Sequence, residues 1–424
     1  MADAEIETGR EQRPSRLHTF SSLRNVNFRY LWVSSAFISA GNQVQQIAMG
    51  LLVWDATNSA FWVGTVLGIR ALPILLVGPL AGVAVDRLDR KKLFLAAQLG
   101  LVATAFFFGL DVYLHKGQMP IWHPLVFTFL LGLDASLSNP VRQSMIVNTV
   151  PAEDVTNAIA LNNSSNSIVQ SIAPLISVGL IAIPWGLGGV AGNFFVQSAA
   201  YVAVFLIILP LKTPYREATA ERTTIKRNFA EGIGHIRGDK TLLLLIILVF
   251  IPSLFIHSTQ NLLSVFAFDV LGGGMWTLGL LGACMGVGSL IATFCVASLG
   301  NFQWRGKLNM SCIILVTVVL VLFGMSSHLV LSLLIIGVLG FFNTGFRLAN
   351  NALIQSRVPD VLRGRVLSIY NMDHGFQPIG SLFLGLMAGS ALLGPQGAIM
   401  LAGLTAVAVS VFIGVRYRQL WSLK

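Results

Sequence analysis

Apolar residues run along this chain in stretches of about twenty, separated by short polar connections. A bilayer core of ~30 Å takes about 20 helical residues. Runs of that length predict twelve spans, near residues 28–54, 61–85, 93–114, 122–148, 158–183, 190–211, 241–267, 275–299, 308–326, 329–355, 364–390 and 396–416. Residues 1–27 are polar and hold no apolar core, so no cleavable signal is expected and the first span serves as the insertion signal. The longest polar break, 212–240, falls between the sixth and seventh spans. Within it Ile225, Phe229, Ile233 and Ile236 recur at i, i+4, i+8 and i+11, one face of a helix flanked by Arg and Lys. A helix lying at the membrane surface is expected there.

Composition and charge fix the solvent and the orientation. Of the 424 residues 54% are hydrophobic and 11% charged, where a soluble globular chain carries about a quarter charged. A multi-pass protein of a bacterial inner (cytoplasmic) membrane is expected. All 28 Lys and Arg except Arg70 and Lys116 fall at the chain ends or near one set of alternate connections. The positive-inside rule therefore puts both termini in the cytoplasm. This asymmetry accounts for the net charge of +10 without a nucleic-acid partner. Cys284, Cys295 and Cys312 have no paired spacing and read as small buried side chains.

Internal repeats divide the chain at the long break. "WDATNSAFWVGTVLGI" (54–69) aligns without gaps to "FDVLGGGMWTLGLLGA" (268–283), and "VNTVPAEDVTNAIAL" (147–161) to "QSRVPDVLRGRVLSI" (355–369). Spans 1–2 thus repeat as 7–8, and 4–5 as 10–11. The expected fold is an all-α membrane protein, with twelve transmembrane helices in two pseudo-symmetric six-helix bundles. Its expected parts are a tail (1–27), a first bundle (28–211), a linker with an amphipathic helix (212–240), a second bundle (241–416) and a tail (417–424). Paired halves of this kind place a binding site near the midplane between them.

The motif "GVAVDRLDRKK" (82–92) resembles the loop after the second span in the major facilitator superfamily, matched by Gly82, Asp86, Arg87, Arg90 and Lys91, with Asp89 where many members have Gly. "NPVRQSMIVNTVPAEDVTNAIALN" (139–162) and "VPDVLRGRVLSIYN" (358–371) are similar to the drug:H+ antiporter-3 branch, which contains enterobactin-type siderophore exporters and macrolide efflux pumps. The resemblance implies a cytoplasmic gate in which Asp86 meets the start of span 11. A carboxylate there can accept hydrogen bonds from a helix N-terminus. The corresponding stretch "VASLGNFQWRGK" lacks the Asp, so a one-sided latch is expected.

Ionisable residues inside spans are costly and default to functional roles. The spans hold Arg70, Asp134, His257, Asp373 and His374. Arg70 and Asp134 lie at similar depth and could pair. Asp134, Asp373 and His374 are the candidate proton-coupling groups, since a buried carboxyl binds and releases a proton as its surroundings alternate between wet and dry. Asp373 and His374 sit about 100° apart round a helix, so only one faces a cavity. Pro378 is expected to let that segment bend. Spans 1, 4, 7 and 10 line the cavity in the resembled superfamily, which makes Asn42, Gln43, Gln46, Arg70, His257, Gln260, Asn261 and Asn343 the candidate substrate contacts. "SIAPLISVG" in span 5 looks like a Gly-Pro antiporter motif with Ala173 and Ser177 in place of glycines.

The expected function is secondary transport: export of an amphipathic small molecule such as a drug, macrolide or siderophore, by alternating access and proton antiport. Expected partners are that substrate, protons and membrane lipids, with a monomer as the working unit and no cofactor or metal. A lysophospholipid carrier is the alternative within transport, and a non-transporting membrane sensor the alternative from another class. No carboxylate or His cluster at a membrane face calls for an enzyme, and no nucleotide motif calls for ATP.

Overall fold

Local sequence signals set where the helices start and stop. α1 (Val26–Thr57) begins where the Asn25 side chain accepts the Asn27 amide, and it ends at Asn58 in the left-handed conformation, a residue type that tolerates that backbone. α3 (Arg90–Leu114) is capped by Asp89, whose carboxylate accepts the amides of Lys91 at 2.9 Å and Lys92 at 3.2 Å. Asp239 does the same for the helix that begins at Lys240, accepting from Thr241 at 2.8 Å and Leu242 at 3.3 Å. Such caps each contribute about 1 kcal/mol.

The computed structural model describes residues 21–77, 89–147, 149–151, 155–182, 189–212, 225–299, 304–359 and 376–423, with Leu362, Val366, Ile369, Tyr370 and Asp373 between the last two stretches. Every described element is helical, and a helix lies along each of the twelve predicted spans. The remaining ones are α2 (Ala60–Val77), α4 (Trp122–Val147), α5 (Val155–Ala182), α6 (Val190–Ile208), α7 (Lys240–Asn261), α8 (Gly274–Ser298), α9 (Arg305–Met325), α10 (Leu329–Arg357), α11 (Gln377–Ala388) and α12 (Gly394–Arg416). Eight of them are long and apolar enough to cross a bilayer among the described residues. α1, α4 and α5 fall short of that measure because their interiors carry amides, hydroxyls and charges. A linker helix forms at Ile225–Gly238, and its Ile236 is buried.

Prolines shape two spans. Pro73 cannot donate to the Ile69 carbonyl, and α2 breaks into a turn at Ile69–Arg70, where the Leu72 amide takes up that carbonyl instead. Pro252 opens a π-helical turn (Pro252–Ile256) within α7, and a second π turn follows at Phe266–Val270. π turns inside α-helices mark functional positions. Pro378 behaves otherwise than the sequence reading expects. It sits in the first turn of α11, where its missing N–H goes unused, so it starts the described helix instead of bending it.

The two halves meet through small residues at the end of the molecule that carries the α1–α2 and α7–α8 turns. α2 lies on α11 so closely that a Cβ at Gly64 would stand 2.6 Å from the Gly385 Cα and from the Ser381 carbonyl oxygen. α8 lies on α5, where a Cβ at Gly282 would come 2.7 Å from the Pro174 Cβ, and one at Gly279 2.7 Å from Val178. In lipid, such close packing takes the place of a hydrophobic driving force. The glycines of this contact belong to α8, so the loss of glycine from the α5 motif leaves the approach intact. We call this the turn end and the opposite one the basic end.

Candidate functional site

Three polar groups follow from this packing. The first lies inside the first half. Gly132 lets α4 approach the α2 break, since a Cβ there would stand 2.7 Å from the Arg70 carbonyl oxygen. That approach brings Arg70 and Asp134 to one small cavity with Asn42, Gln98, Ser138, Arg142 and Tyr201. Ser138 donates to Asp134 at 2.9 Å, Tyr201 to Asn42 at 3.0 Å, and Gln197 to Tyr201 at 3.0 Å. Arg70 and Asp134 attract one another across the cavity without a direct salt bridge. Both amide atoms of Gln98 and one guanidinium nitrogen of Arg142 are buried there without a hydrogen-bond partner. The cavity of ≈ 20 Å³ has room for a single water.

The second group bridges the halves. Gln46 on α1 donates to Asn261 on α7, and Asn261 donates to Ser381 on α11 at 2.5 Å. Ser381 and Ser258 both donate to the Gln377 carbonyl, at 3.0 and 2.9 Å. Against this chain lies a cavity of ≈ 60 Å³ between α1, α5, α7 and α8, lined by Gln43, Gln46, Gln260, Asn261 and the apolar Ile47, Leu263, Leu278 and Met285. Gln260 reaches Met285 Sδ at 3.3 Å. A drug-sized ligand takes about 300–1,000 Å³, several times this volume. Asn42 and Gln46, one turn apart on α1, thus serve different places: Asn42 turns into the first half, Gln46 across to the second.

The third group lies one turn further along α7. His257 Nε2 stands 3.2 Å from Arg347 Nη1 on α10. Tyr370 lies near Asn350, Asn351, Arg347 and Asp373. Asp373 is buried, 2% exposed, and accepts from Ser253 at 2.9 Å, in the π turn that Pro252 opens. Asn343 is buried four residues before Arg347 on α10.

Sequence reading missed two members. Arg142 and Arg347 count as connection charges by position, yet the structure places both inside helices. Arg142 lines the first cavity, and Arg347 sits ten residues before the end of α10. Both lie inside the predicted spans, 122–148 and 329–355, but toward their ends, and were counted with the connections for that reason. Of the gate motif, Gly82, Asp86 and Arg87 lie outside the described residues, as does His374. Arg90 is the first residue of α3. The Lys91 ammonium donates to the Leu209 carbonyl at 2.5 Å, closing the end of α6 within its own half.

Comparison with known proteins agrees with this architecture. The family described as transmembrane secretion effector matches residues 17–420. The chain is 26% identical over 369 residues to the staphyloferrin A transporter of Staphylococcus aureus (strain NCTC 8325 / PS 47), covering 85% of this chain and 89% of the relative. It is 23% identical over 391 residues to macrolide efflux protein A of Streptococcus pyogenes, covering 91% and 95%. Among solved structures, a POT family transporter in complex with a thioalcohol-conjugated peptide superposes with a TM-score of 0.71 at 10% identity, covering 93% of this chain and 96% of that one. A bacterial homologue of the human lysosomal transporter Spinster superposes at 0.67 and 14%, with the same coverage. These likenesses show a shared fold.

Proposed function

Because the chain belongs to the transmembrane secretion effector family of the major facilitator superfamily, in its drug and siderophore efflux branch, we propose that it exports an amphipathic small molecule from a bacterial cytoplasm, by alternating access and in exchange for protons. The relatives carry a siderophore and a macrolide by name. The carrying observation is the hydrogen-bond chain from Gln46 through Asn261 to Ser381, which joins both halves beside a cavity walled by amides and apolar side chains. A bulky, weakly polar body fits such walls.

The working cycle follows from the packing. With α2 on α11 and α5 on α8, the turn end is shut and substrate enters from the basic end, which the positive-inside rule assigns to the cytoplasm. Opening the turn end separates Gly64 from Gly385 and Gly282 from Pro174, and parts the amide chain. Asp134 is the proton carrier in this reading. Ionised, it is held by Ser138 and attracted by Arg70; protonated, it loses that attraction and frees α4 relative to α2. Asp373, held by Ser253 in the second half, is the second candidate.

Inside-out membrane vesicles test this. We expect respiration-driven accumulation of one class among labelled erythromycin, a catecholate siderophore, a cationic dye and a lysophospholipid, abolished by a protonophore. Asp134→Asn should reduce accumulation at least about tenfold, a barrier change of ~1.4 kcal/mol, with binding retained. Asp373→Asn is the matching variant. Full accumulation in both variants contradicts proton coupling. Accumulation of the lysolipid alone, insensitive to the protonophore, supports the lipid carrier instead.

A further inference from the structure

We infer that Arg347 and His257 form a binding site for an anionic group, of carboxylate chemistry, on the exported amphiphile. The inference rests on the export reading and adds to it the charge of the substrate.

Arg347 is a cation within α10, about 15 Å from the end of that helix at 1.5 Å per residue. A guanidinium at that depth needs a partner or water. Its described contact is the imidazole of His257, which supplies no negative charge. No carboxylate forms a salt bridge with it among the described residues, whereas Arg357, at the end of the same helix, pairs with Asp239. Asp373 faces Ser253 on α7. Arg70 and Arg142 add two cations on the first half against the single carboxylate of Asp134 in their cavity. Among the described residues of these groups, the three arginines Arg70, Arg142 and Arg347 thus face two carboxylates, Asp134 and Asp373, and a carboxylate-bearing substrate would supply the missing charge.

Position makes the pair reachable. Arg347 and His257 are both half-buried, while Asn343 and Asn350 beside them on α10 are 5% and 0% exposed. His257 lies one turn from Gln260 and Asn261, which line the cavity between the halves. One molecule can therefore set its acidic end on Arg347 and His257 and its apolar body against Ile47, Leu263 and Met285. The planar guanidinium fork matches a carboxylate with two parallel hydrogen bonds, which a lysine ammonium does not.

The test uses dansyl-phenylalanine and its neutral carboxamide in inside-out vesicles holding the full chain. Wild type should accumulate the acid about tenfold better than the amide, as one desolvated charge-assisted bond provides. Arg347→Gln should erase that preference, read as the ratio of acid to amide accumulated. Arg347→Lys, which keeps the charge without the fork, should show an intermediate preference and serves if the Gln variant fails to fold. His257→Gln should weaken the preference less than Arg347→Gln. Equal transport of acid and amide by wild type, or a preference that survives Arg347→Gln, overturns the inference and leaves export standing. Transport of neither probe, in vesicles that accumulate a member of the export panel, overturns the inference alone; failure to accumulate any panel member overturns the export reading beneath it as well.

Discussion

Arg70 owes its place to Pro73, three residues on. The proline breaks α2 at Ile69–Arg70, and Gly132 lets α4 settle against the break, so that Arg70 and Asp134 share a cavity. These two charges were legible in the sequence, because each falls well inside a predicted span. Long-range partners were not: Gln46 and Asn261 stand 215 residues apart, and His257 and Arg347 stand 90 apart. Such pairings follow from the packing of the halves and have no local signal. Outside the membrane, Asp239 offers a cleaner test. Partial burial opposes its ionisation, but the amides of Leu242 and Thr241 and the Arg357 guanidinium outweigh that and hold its carboxyl below the usual carboxylate range. A depressed pKa gives stability that is present above the unfolded value of about 3.9 and lost as pH falls through the folded value. Asp239→Ala should lower the melting temperature near neutral pH by the worth of a cap, about 1 kcal/mol. The gap to wild type should close below about pH 4. An unchanged gap there would contradict the cap's role.

At the scale of elements, span positions were readable because each needs about 20 apolar residues. What length alone could not mark was which charges near the ends of α4 and α10 turn inward, and that is why Arg142 and Arg347 were counted with the connections. Nor does hydropathy mark which helices touch. The pairing of α2 with α11 rests on Gly64 and Gly385, where backbone meets backbone. Gly64→Val should prise these helices apart, since the new side chain has no room short of moving α11. Spin labels at Trp62→Cys and Leu386→Cys should then report a longer distance than in the Gly64 background. An unchanged distance distribution would show that the turn end is not closed by this contact.

For the whole molecule, the proposal of antiport rests on two similar halves, a polar seam between them and a carboxylate in the interior of each. The repeats made the halves visible in the sequence. The identity of the seam required the fold, because Gln46, Asn261 and Ser381 come from three separate helices. The most direct measurement places purified protein in liposomes with an acidic interior and an internal pH-sensitive dye, and adds the substrate class found in vesicles. The account predicts that substrate entry raises the internal pH, and that Asp134→Asn abolishes this response while still binding substrate. Substrate entry with no pH response in wild type, or a full response in Asp134→Asn, would contradict it.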